Sequence, residues 1–306
     1  MKKSRLLGAV CAAVFSFITL PTQAGLISVL GGQAYYDDVA DLTWLANANV
    51  NGVMNWQAAK DWAAALDIDG VTGWRLPMAH NSDVPSCSGY NCTGSEMGNM
   101  FYNVLGGVAG SSITTTHNSN YDLFSNVQSD DYWSSTEYAP NSAFAWDFGF
   151  GDGLQNLRGK GYNGYAWAVR AGDVRPVYSC VGDTFETPFN EIITLINKVK
   201  KAIPVKMSLV DADGNLITES DISSPPVVNV LYTPGAGADG SNNSDLVPPG
   251  LADVGNEFRP DYPYWVINLA TKQFTAAGTY EVTAVAGDDS YIINASSCSG
   301  TFIRLP

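Results

Sequence analysis

The chain has 306 residues, a length that fits two domains of ordinary size. Its 30 acidic residues against 16 basic ones argue against nucleic acid or an anionic lipid surface as the main partner, because both are bound through basic faces. Apolar residues make up 45% of the chain and charged residues 15%, which excludes a disordered protein and favours strands and turns over long solvated helices.

The first 24 residues have the pattern of a secretory signal peptide. Three basic residues among the first five precede an uncharged run, Leu6–Leu20, and Thr22-Gln23-Ala24 places small residues at the expected cleavage positions. That run is too short to span a bilayer comfortably, and no later stretch is longer and equally apolar. We therefore expect an exported protein without a transmembrane span, located outside the cell, on its surface or in the periplasm.

Four cysteines remain once the predicted leader is removed, and disulfides are the default expectation for an even number in an exported protein. Cys87 and Cys92 can close a short local loop, while Cys180 and Cys298 bracket the C-terminal part. Of the three connectivities we favour Cys87–Cys92 with Cys180–Cys298. A zinc site is the competing interpretation, but a chain with only two histidines offers a poor tetrahedral ligand set.

Composition changes near residue 176, because seven of the eight tryptophans lie before it. We predict a leader over 1–24, a first domain over 25–176 and a second over 177–306. In the first domain, apolar residues at helical spacing predict a helix from Asn55 to Leu66 and a shorter one from Ser95 to Leu105. Strand-like segments cover 26–36, 41–45, 132–136, 143–150 and 165–170, separated by polar loops such as 111–131 and 151–164. This order predicts an α+β domain.

The second domain has a β pattern throughout. The strand-like segments are 205–210, 216–218, 227–232, 264–269, 279–286 and 301–305. Short strands bracketed by a cysteine pair predict an all-β immunoglobulin-like sandwich. Asp211, Asp213 and Asn215 mimic the start of a calcium loop, but Leu216 stands where glycine is needed, so we interpret them as a turn. The segment 191–203 fits either a helix or a strand.

The first domain contains an ordered series of tryptophan-rich motifs. They are Leu42-Thr43-Trp44, Trp56-Gln57-Ala58-Ala59, Trp74-Arg75-Leu76-Pro77, Tyr132-Trp133-Ser134-Ser135-Thr136, Ala145-Trp146-Asp147-Phe148 and Val169-Arg170. Over roughly residues 26 to 176 this series resembles the bacterial DUF1566 family, also called the Lcl C-terminal-like domain. The family has a C-type-lectin-like fold, and its best-known member is the tip of a collagen-like adhesin that binds sulfated glycans. The resemblance implies an extracellular recognition module.

The second domain contains the segment from Ala202 to Leu209, followed by Asp213-Gly214. These residues resemble the PxKF-type domain of bacterial surface proteins, with Met207 in place of the usual phenylalanine. This resemblance implies an immunoglobulin-like fold and favours strand over helix for residues 192–196.

The best candidates for ligand contact lie late in the first domain, where a lectin-like fold presents its ligand. Carboxylate, amide and aromatic groups are what a sugar site needs, although a glycine-rich surface hairpin can contain the same groups by chance. Calcium in this site is an open alternative without support, because a hard cation needs six to eight converging oxygens. No other cofactor is expected. The candidates are Glu137, Asp147, Asp152, Asn156, Arg158, Tyr162 and Trp167.

Two further residues have structural interpretations. Arg75, between Trp74 and Leu76, is expected to pair with a buried carboxylate, and Trp133 is expected to pack on a sheet. We expect no catalysis, because neither histidine accompanies a nucleophile motif and no carboxylate pair stands out.

The predicted function is therefore that of a secreted or cell-surface bacterial recognition protein that binds a glycan or adheres to a surface polymer. The alternative is a structural or assembly protein of the cell surface without a small-molecule ligand. The sequence does not decide whether the protein forms a homo-oligomer.

Overall fold

The computed structural model describes residues 25–80, 87–195, 202–235, 255–270 and 274–305, so the predicted leader lies outside it. The described chain is mostly β-sheet with few helices. Its buried apolar side chains form two cores, one drawn from residues between Val29 and Val169 and the other from residues between Tyr178 and Phe302. The predicted boundary near residue 176 falls between the two sets, while the division into two domains stays a prediction.

The first core draws its buried side chains from two antiparallel sheets and from the helices between them in sequence. One has the strand order β1-β2-β3-β7 and the other β4-β5-β6. Since β3 pairs with β7, the two ends of this part of the chain meet in one sheet. The strands are β1 Leu26–Val29, β2 Ala34–Asp37, β3 Leu42–Leu45, β4 Asp131–Glu137, β5 Phe144–Gly149, β6 Gln155–Gly159 and β7 Val169–Ala171.

Both predicted helices of the first part are confirmed. Helix α1, Trp56–Ala64, begins at Asn55, whose side chain accepts a hydrogen bond from the backbone N–H of Ala58. Helix α2, Glu96–Gly98, is capped in the same way by Ser95 and continues as a π-helical turn over Asn99–Val104. Each helix buries the apolar face that its residue spacing predicted.

Two strand predictions and one loop prediction in this part are wrong. The strand predicted over 165–170 is reduced to β7, which begins only at Val169, and to an isolated bridge at Tyr165. The strand predicted over 26–36 is broken after Val29, because Leu30, Gly31 and Gly32 all adopt positive φ. Strand β6 lies in a segment that the sequence predicted as a loop. Its outward side chains are polar and its inward ones include a glutamine, so it lacks the apolar alternation that identifies a strand.

The second core is enclosed by three sheets, β10-β14-β13, β11-β8-β16 and β12-β15-β17-β9. The predicted strand over 216–218 is reduced to a single bridge between Val210 and Leu216. Of the ambiguous segment, Ile193–Leu195 is strand, while residues 196–201 lie outside the described residues. The strands are β8 Val177–Cys180, β9 Ile193–Leu195, β10 Ile203–Met207, β11 Leu209–Val210, β12 Val227–Pro234, β13 Arg259–Asp261, β14 Tyr264–Leu269, β15 Gly278–Val285, β16 Ile292–Ile293 and β17 Ser299–Arg304.

Both predicted disulfides are present. Cys87–Cys92 closes a loop that reaches β6 through paired backbone bonds between Gly89 and Gln155. Cys180–Cys298 joins the end of β8 to the residue before β17. Within the described ranges, no helix is long and apolar enough to cross a membrane.

Candidate functional site

The sheet β4-β5-β6 carries Asp147, Asn156 and Arg158 on one face, together with the buried Trp133 and Ala145, and carries Phe148 on the other face. On the inner face Phe148 packs against Phe101 in the core. On the outer face the register places Trp133 beside Asp147 and Asp147 beside Asn156. We call this surface, together with the loop residue above it, the Arg158 face; it consists of Asp131, Trp133, Asp147, Asn156, Arg158 and Tyr162.

Arg158 is fixed at the centre of this face by three groups. Its Nε donates to Asp147 Oδ2 at 2.5 Å, and its terminal nitrogen pairs with the carboxylate of Asp131. The guanidinium carbon lies 4.6 Å from the ring centroid of Tyr162, which is 40% exposed. Two carboxylates and an aromatic ring therefore hold one planar cation next to solvent.

Asp147 is a buried carboxylate of which only one oxygen is hydrogen-bonded. Its side chain is 2% exposed, and its Oδ1 has no hydrogen-bond partner in the structure. Burial, followed by the negative charge of Asp131, raises the pKa of Asp147 to about 6, against the opposing effect of Arg158. A buried carboxylate with an unpaired oxygen and a raised pKa is a candidate for a functional role.

Asp131 and Asp152 converge over Gly149, which lies two residues beyond Asp147 on β5. A Cβ atom on Gly149 would lie 2.9 Å from Asp152 Oδ1 and 3.2 Å from Asp131 Oδ1. The pKa of Asp131 is raised by burial and by the charges of Asp130 and Asp152, while Arg158 lowers it. Negative charge therefore exceeds positive charge at this end of the face.

The structure brings most of the predicted site residues to one surface. Asp147, Asn156, Arg158 and Tyr162 share the Arg158 face. Asp152 lies at its edge in the turn between β5 and β6, where its Oδ1 accepts the backbone N–H of Leu154. The grouping of these side chains follows from the short hairpin that carries them.

Glu137 lies at the far end of β4, in a separate cluster. Its carboxylate pairs with Lys160, whose ammonium group lies 4.1 Å from the ring centroid of Trp56. Lys60 lies 4.3 Å from the same centroid. Because Trp56 is only 5% exposed, the two lysines leave little of its ring open to a ligand.

Trp167 does not belong to the site, and its prediction as a ligand contact is wrong. Its side chain is fully buried, its Nε1 donates to the carbonyl of Leu45 at 2.8 Å, and its ring contacts Trp44 edge to face. A residue enclosed in the first core cannot touch a ligand at the surface.

The two structural interpretations are confirmed. Arg75 forms a two-point ion pair with Glu96, with both nitrogen–oxygen distances 2.7 Å, and the Glu96 side chain is 12% exposed. Trp133 is 1% exposed, and its Nε1 donates to the carbonyl of Met54.

Sequence reasoning missed two residues of this region. Asp131 supplies the second carboxylate that pairs with Arg158, and only the pairing of β4 with β5 reveals this. Tyr90 lies inside the Cys87–Cys92 loop, is 48% exposed and has its hydroxyl 3.5 Å from Asp152 Oδ2. The sequence signal that could have identified Tyr90 is its position between two cysteines that close a short loop.

Among the described residues, no group of three or more histidine, cysteine, aspartate or glutamate side chains is arranged to hold a metal ion. Calcium therefore stays an expectation of the sequence alone.

Comparison with known proteins gives one family match. Residues 33–170 match the family model of the Lcl C-terminal domain, a range that contains α1 and the whole Arg158 face. No curated protein matches the chain.

Proposed function

The chain carries an Lcl C-terminal domain from residue 33 to residue 170, and on this premise we propose that it is an exported, surface-associated protein that recognises a glycan. In this proposal the first part has a C-type-lectin-like arrangement. The second part is an immunoglobulin-like spacer or docking domain. Both disulfides are consistent with export.

The observation that supports glycan binding is the fixed Arg158 beside an exposed aromatic ring. A sugar needs donors and acceptors for its hydroxyl groups and a flat apolar surface for its ring. Arg158 and the partly exposed carboxylate of Asp131 provide the polar groups, the buried Asp147 holds Arg158 in place, and Tyr162 provides the ring. Because ion pairs already hold Arg158, little side-chain entropy is lost when a ligand binds.

Asn156 extends this surface along β6. It is exposed, and its Oδ1 accepts a hydrogen bond from the backbone N–H of Leu157. Its amide nitrogen can then donate to a ligand hydroxyl. The proposal is for binding only, so release of new reducing ends from a bound glycan would contradict it.

The rival function is assembly at the cell surface without a small ligand. Apolar side chains near the start of the second part favour it, since Val177, Val181 and Ile192 are 51%, 47% and 66% exposed. A protein of this kind would self-associate with increasing concentration and show no dependence on sugars.

A glycan array probed with residues 25–306, with calcium and again with a chelator, tests the proposal. We expect saturable binding that Tyr162→Ala weakens about tenfold, because the ring next to Arg158 is removed. Tyr262→Ala is the matched control, since Tyr262 is 78% exposed in the second part and should leave binding unchanged. Folded protein that binds no glycan but self-associates would favour the assembly function.

A further inference from the structure

We propose that the binding surface continues from the Arg158 face across β6 to Tyr90 in the Cys87–Cys92 loop, and that it takes an extended, neutral glycan chain along several sugar rings. The inference rests on the proposed function, because it names the class of glycan that the same site binds. It is carried by the fixed position of Tyr90 and by a continuous line of side chains from Tyr90 to Tyr162.

The Cys87–Cys92 loop lies beside β6 as a short addition to the sheet. The backbone N–H of Gly89 donates to the carbonyl of Gln155 at 2.8 Å, and the N–H of Gln155 donates back to the carbonyl of Gly89 at 2.9 Å. The buried amide of Gln155 also donates to the carbonyl of Cys87 at 2.6 Å. The sheet therefore runs from β4 through β5 and β6 to this loop.

The side chain of Tyr102 connects the loop to the turn between β5 and β6. Its hydroxyl accepts a hydrogen bond from the backbone N–H of Asn91 at 3.0 Å and donates to the carbonyl of Gly153 at 2.7 Å. Asn91 follows Tyr90 and Gly153 follows Asp152, so these two side chains are carried on backbone that is held together. Tyr90 is 48% exposed, and its fixed backbone reduces the entropy lost when a ligand covers its ring.

A continuous line of side chains leads from Tyr90 to the centre of the Arg158 face. The hydroxyl of Tyr90 lies 3.5 Å from Asp152 Oδ2. Asp152 Oδ1 lies 2.9 Å, and Asp131 Oδ1 3.2 Å, from the place that a Cβ on Gly149 would take, so the two carboxylates are neighbours. Asp131 in turn pairs with Arg158, which lies against the second exposed ring of the face. The line therefore has an aromatic ring at each end and polar groups between the rings.

This line is longer than one sugar. Neighbouring strands lie about 4.8 Å apart, so three spacings, about 14 Å, separate β4 from the Cys87–Cys92 loop. Tyr162 lies on the β4 side, with its ring centroid 6.2 Å from that of Trp133, whereas Tyr90 lies in the loop. A single pyranose ring cannot contact both tyrosines, but a chain that stays extended, as β-1,4-linked pyranoses do, can reach both.

The polar groups between the rings suit an uncharged chain rich in hydroxyl groups. The partly exposed carboxylates of Asp131 and Asp152 accept hydrogen bonds from hydroxyl groups, and the exposed amide of Asn156 donates them. Sulfate and uronate groups would be repelled by the same carboxylates and by the net charge of −14.

The test measures how affinity depends on chain length. Calorimetry at neutral pH follows the binding of residues 25–306 to β-1,4-linked oligosaccharides of two, four and six units, in a glucose series and an N-acetylglucosamine series. A heparin-derived hexasaccharide is the anionic probe. In at least one neutral series we expect the hexasaccharide to bind at least about tenfold more tightly than the disaccharide and more tightly than the anionic probe.

Three variants locate the gain in affinity with length. Tyr90→Ala should weaken binding of the hexasaccharide about tenfold and leave the disaccharide unchanged, because a short ligand that stacks on Tyr162 does not reach the loop. Tyr90→Phe keeps the ring and should bind nearly as the natural protein does. Tyr262→Ala is the matched control, since it removes an exposed tyrosine of the second part. Thermal melting of each variant confirms that it is folded.

The outcomes separate the inference from the proposed function. Equal affinity for the disaccharide and the hexasaccharide overturns the inference, and so does a folded Tyr90→Ala protein that binds the hexasaccharide normally or loses affinity equally for both lengths. Tighter binding of the anionic probe, or array binding without binding to either neutral series, also overturns it and leaves glycan recognition standing. Absence of binding to every glycan, here and on the array, overturns the proposed function itself.

Discussion

Asp147 should make the stability of the protein depend on pH in an unusual direction. Burial raises its pKa from 3.8 to about 6, so between these values the folded state keeps a proton that the unfolded state has released. The contribution of Asp147 to the free energy of unfolding therefore falls as pH rises through this window, by roughly 3 kcal/mol at most, and stays low above it.

Asp147→Asn removes this dependence, because an amide does not ionise. We expect the variant to show a flatter stability profile between about pH 4 and pH 6 and to be no less stable than the natural protein above it. Urea denaturation followed across this range measures both curves. A variant with the same slope as the natural protein would show that Asp147 does not titrate there.

Trp167→Ala should destabilise the first core by about 3–5 kcal/mol, because it removes a fully buried ring and leaves a cavity. Trp167→Phe should cost less and keep glycan binding, since Trp167 makes no contact with the surface. Denaturation and binding are measured on both variants. Loss of glycan binding by a stable Trp167→Phe protein would show that Trp167 does contribute to the binding site.

Much of the site could be predicted because its residues lie close together in the sequence. Asp147, Arg158 and Tyr162 fall within one hairpin and its following loop, so their residue types, together with the region where a lectin-like fold presents its ligand, identified them. Asp131 could not be found in this way, because its place next to Arg158 depends on the register of β4 against β5. Composition also cannot distinguish a buried aromatic ring from an exposed one, which is why Trp167 was assigned wrongly.

At the scale of elements, the Cys87–Cys92 disulfide should serve mainly to hold its loop against β6 and should add less to the free energy of unfolding. It encloses few residues, so in the chain-entropy view its closure contributes less than the roughly 3 kcal/mol of a 15-residue loop. Replacing both cysteines by serine should lower the melting temperature by only several degrees, because closing so short a loop contributes about 2 kcal/mol, but should increase hydrogen exchange at Gly89 and Gln155, whose backbone groups pair. A large drop in melting temperature would contradict this.

The elements themselves were predictable where a pattern repeats. Helix α1 shows an apolar stripe and a capping asparagine, and β4 and β5 show alternating large side chains. Strand β6 shows neither, because one of its faces is the polar Arg158 face and the other presents the buried Gln155, which donates to two backbone carbonyls. A strand that carries a polar site on one face and buries a glutamine on the other loses the signal by which strands are recognised.

At the scale of the whole molecule, Cys180–Cys298 should stabilise the second core strongly. The cysteines are 118 residues apart, and closing a loop of this length contributes about 4–5 kcal/mol in the chain-entropy view. Because the two cores are built from separate residues, replacing both cysteines by serine should lower one calorimetric transition and leave the other in place. A single transition that shifts as a whole would show that the cores unfold together.

The strand pairing of the second part has a consequence for the order of folding events during synthesis. Strands β8 and β9 stand at its beginning, yet they pair in parallel with β16 and β17, which are made about a hundred residues later. The first part, by contrast, closes its sheet once β7 has emerged. The nascent chain should therefore complete the first part before the second, and it should hold β9 and one edge of β8 without their parallel partners until β16 and β17 emerge, a period in which these strands depend on chaperones.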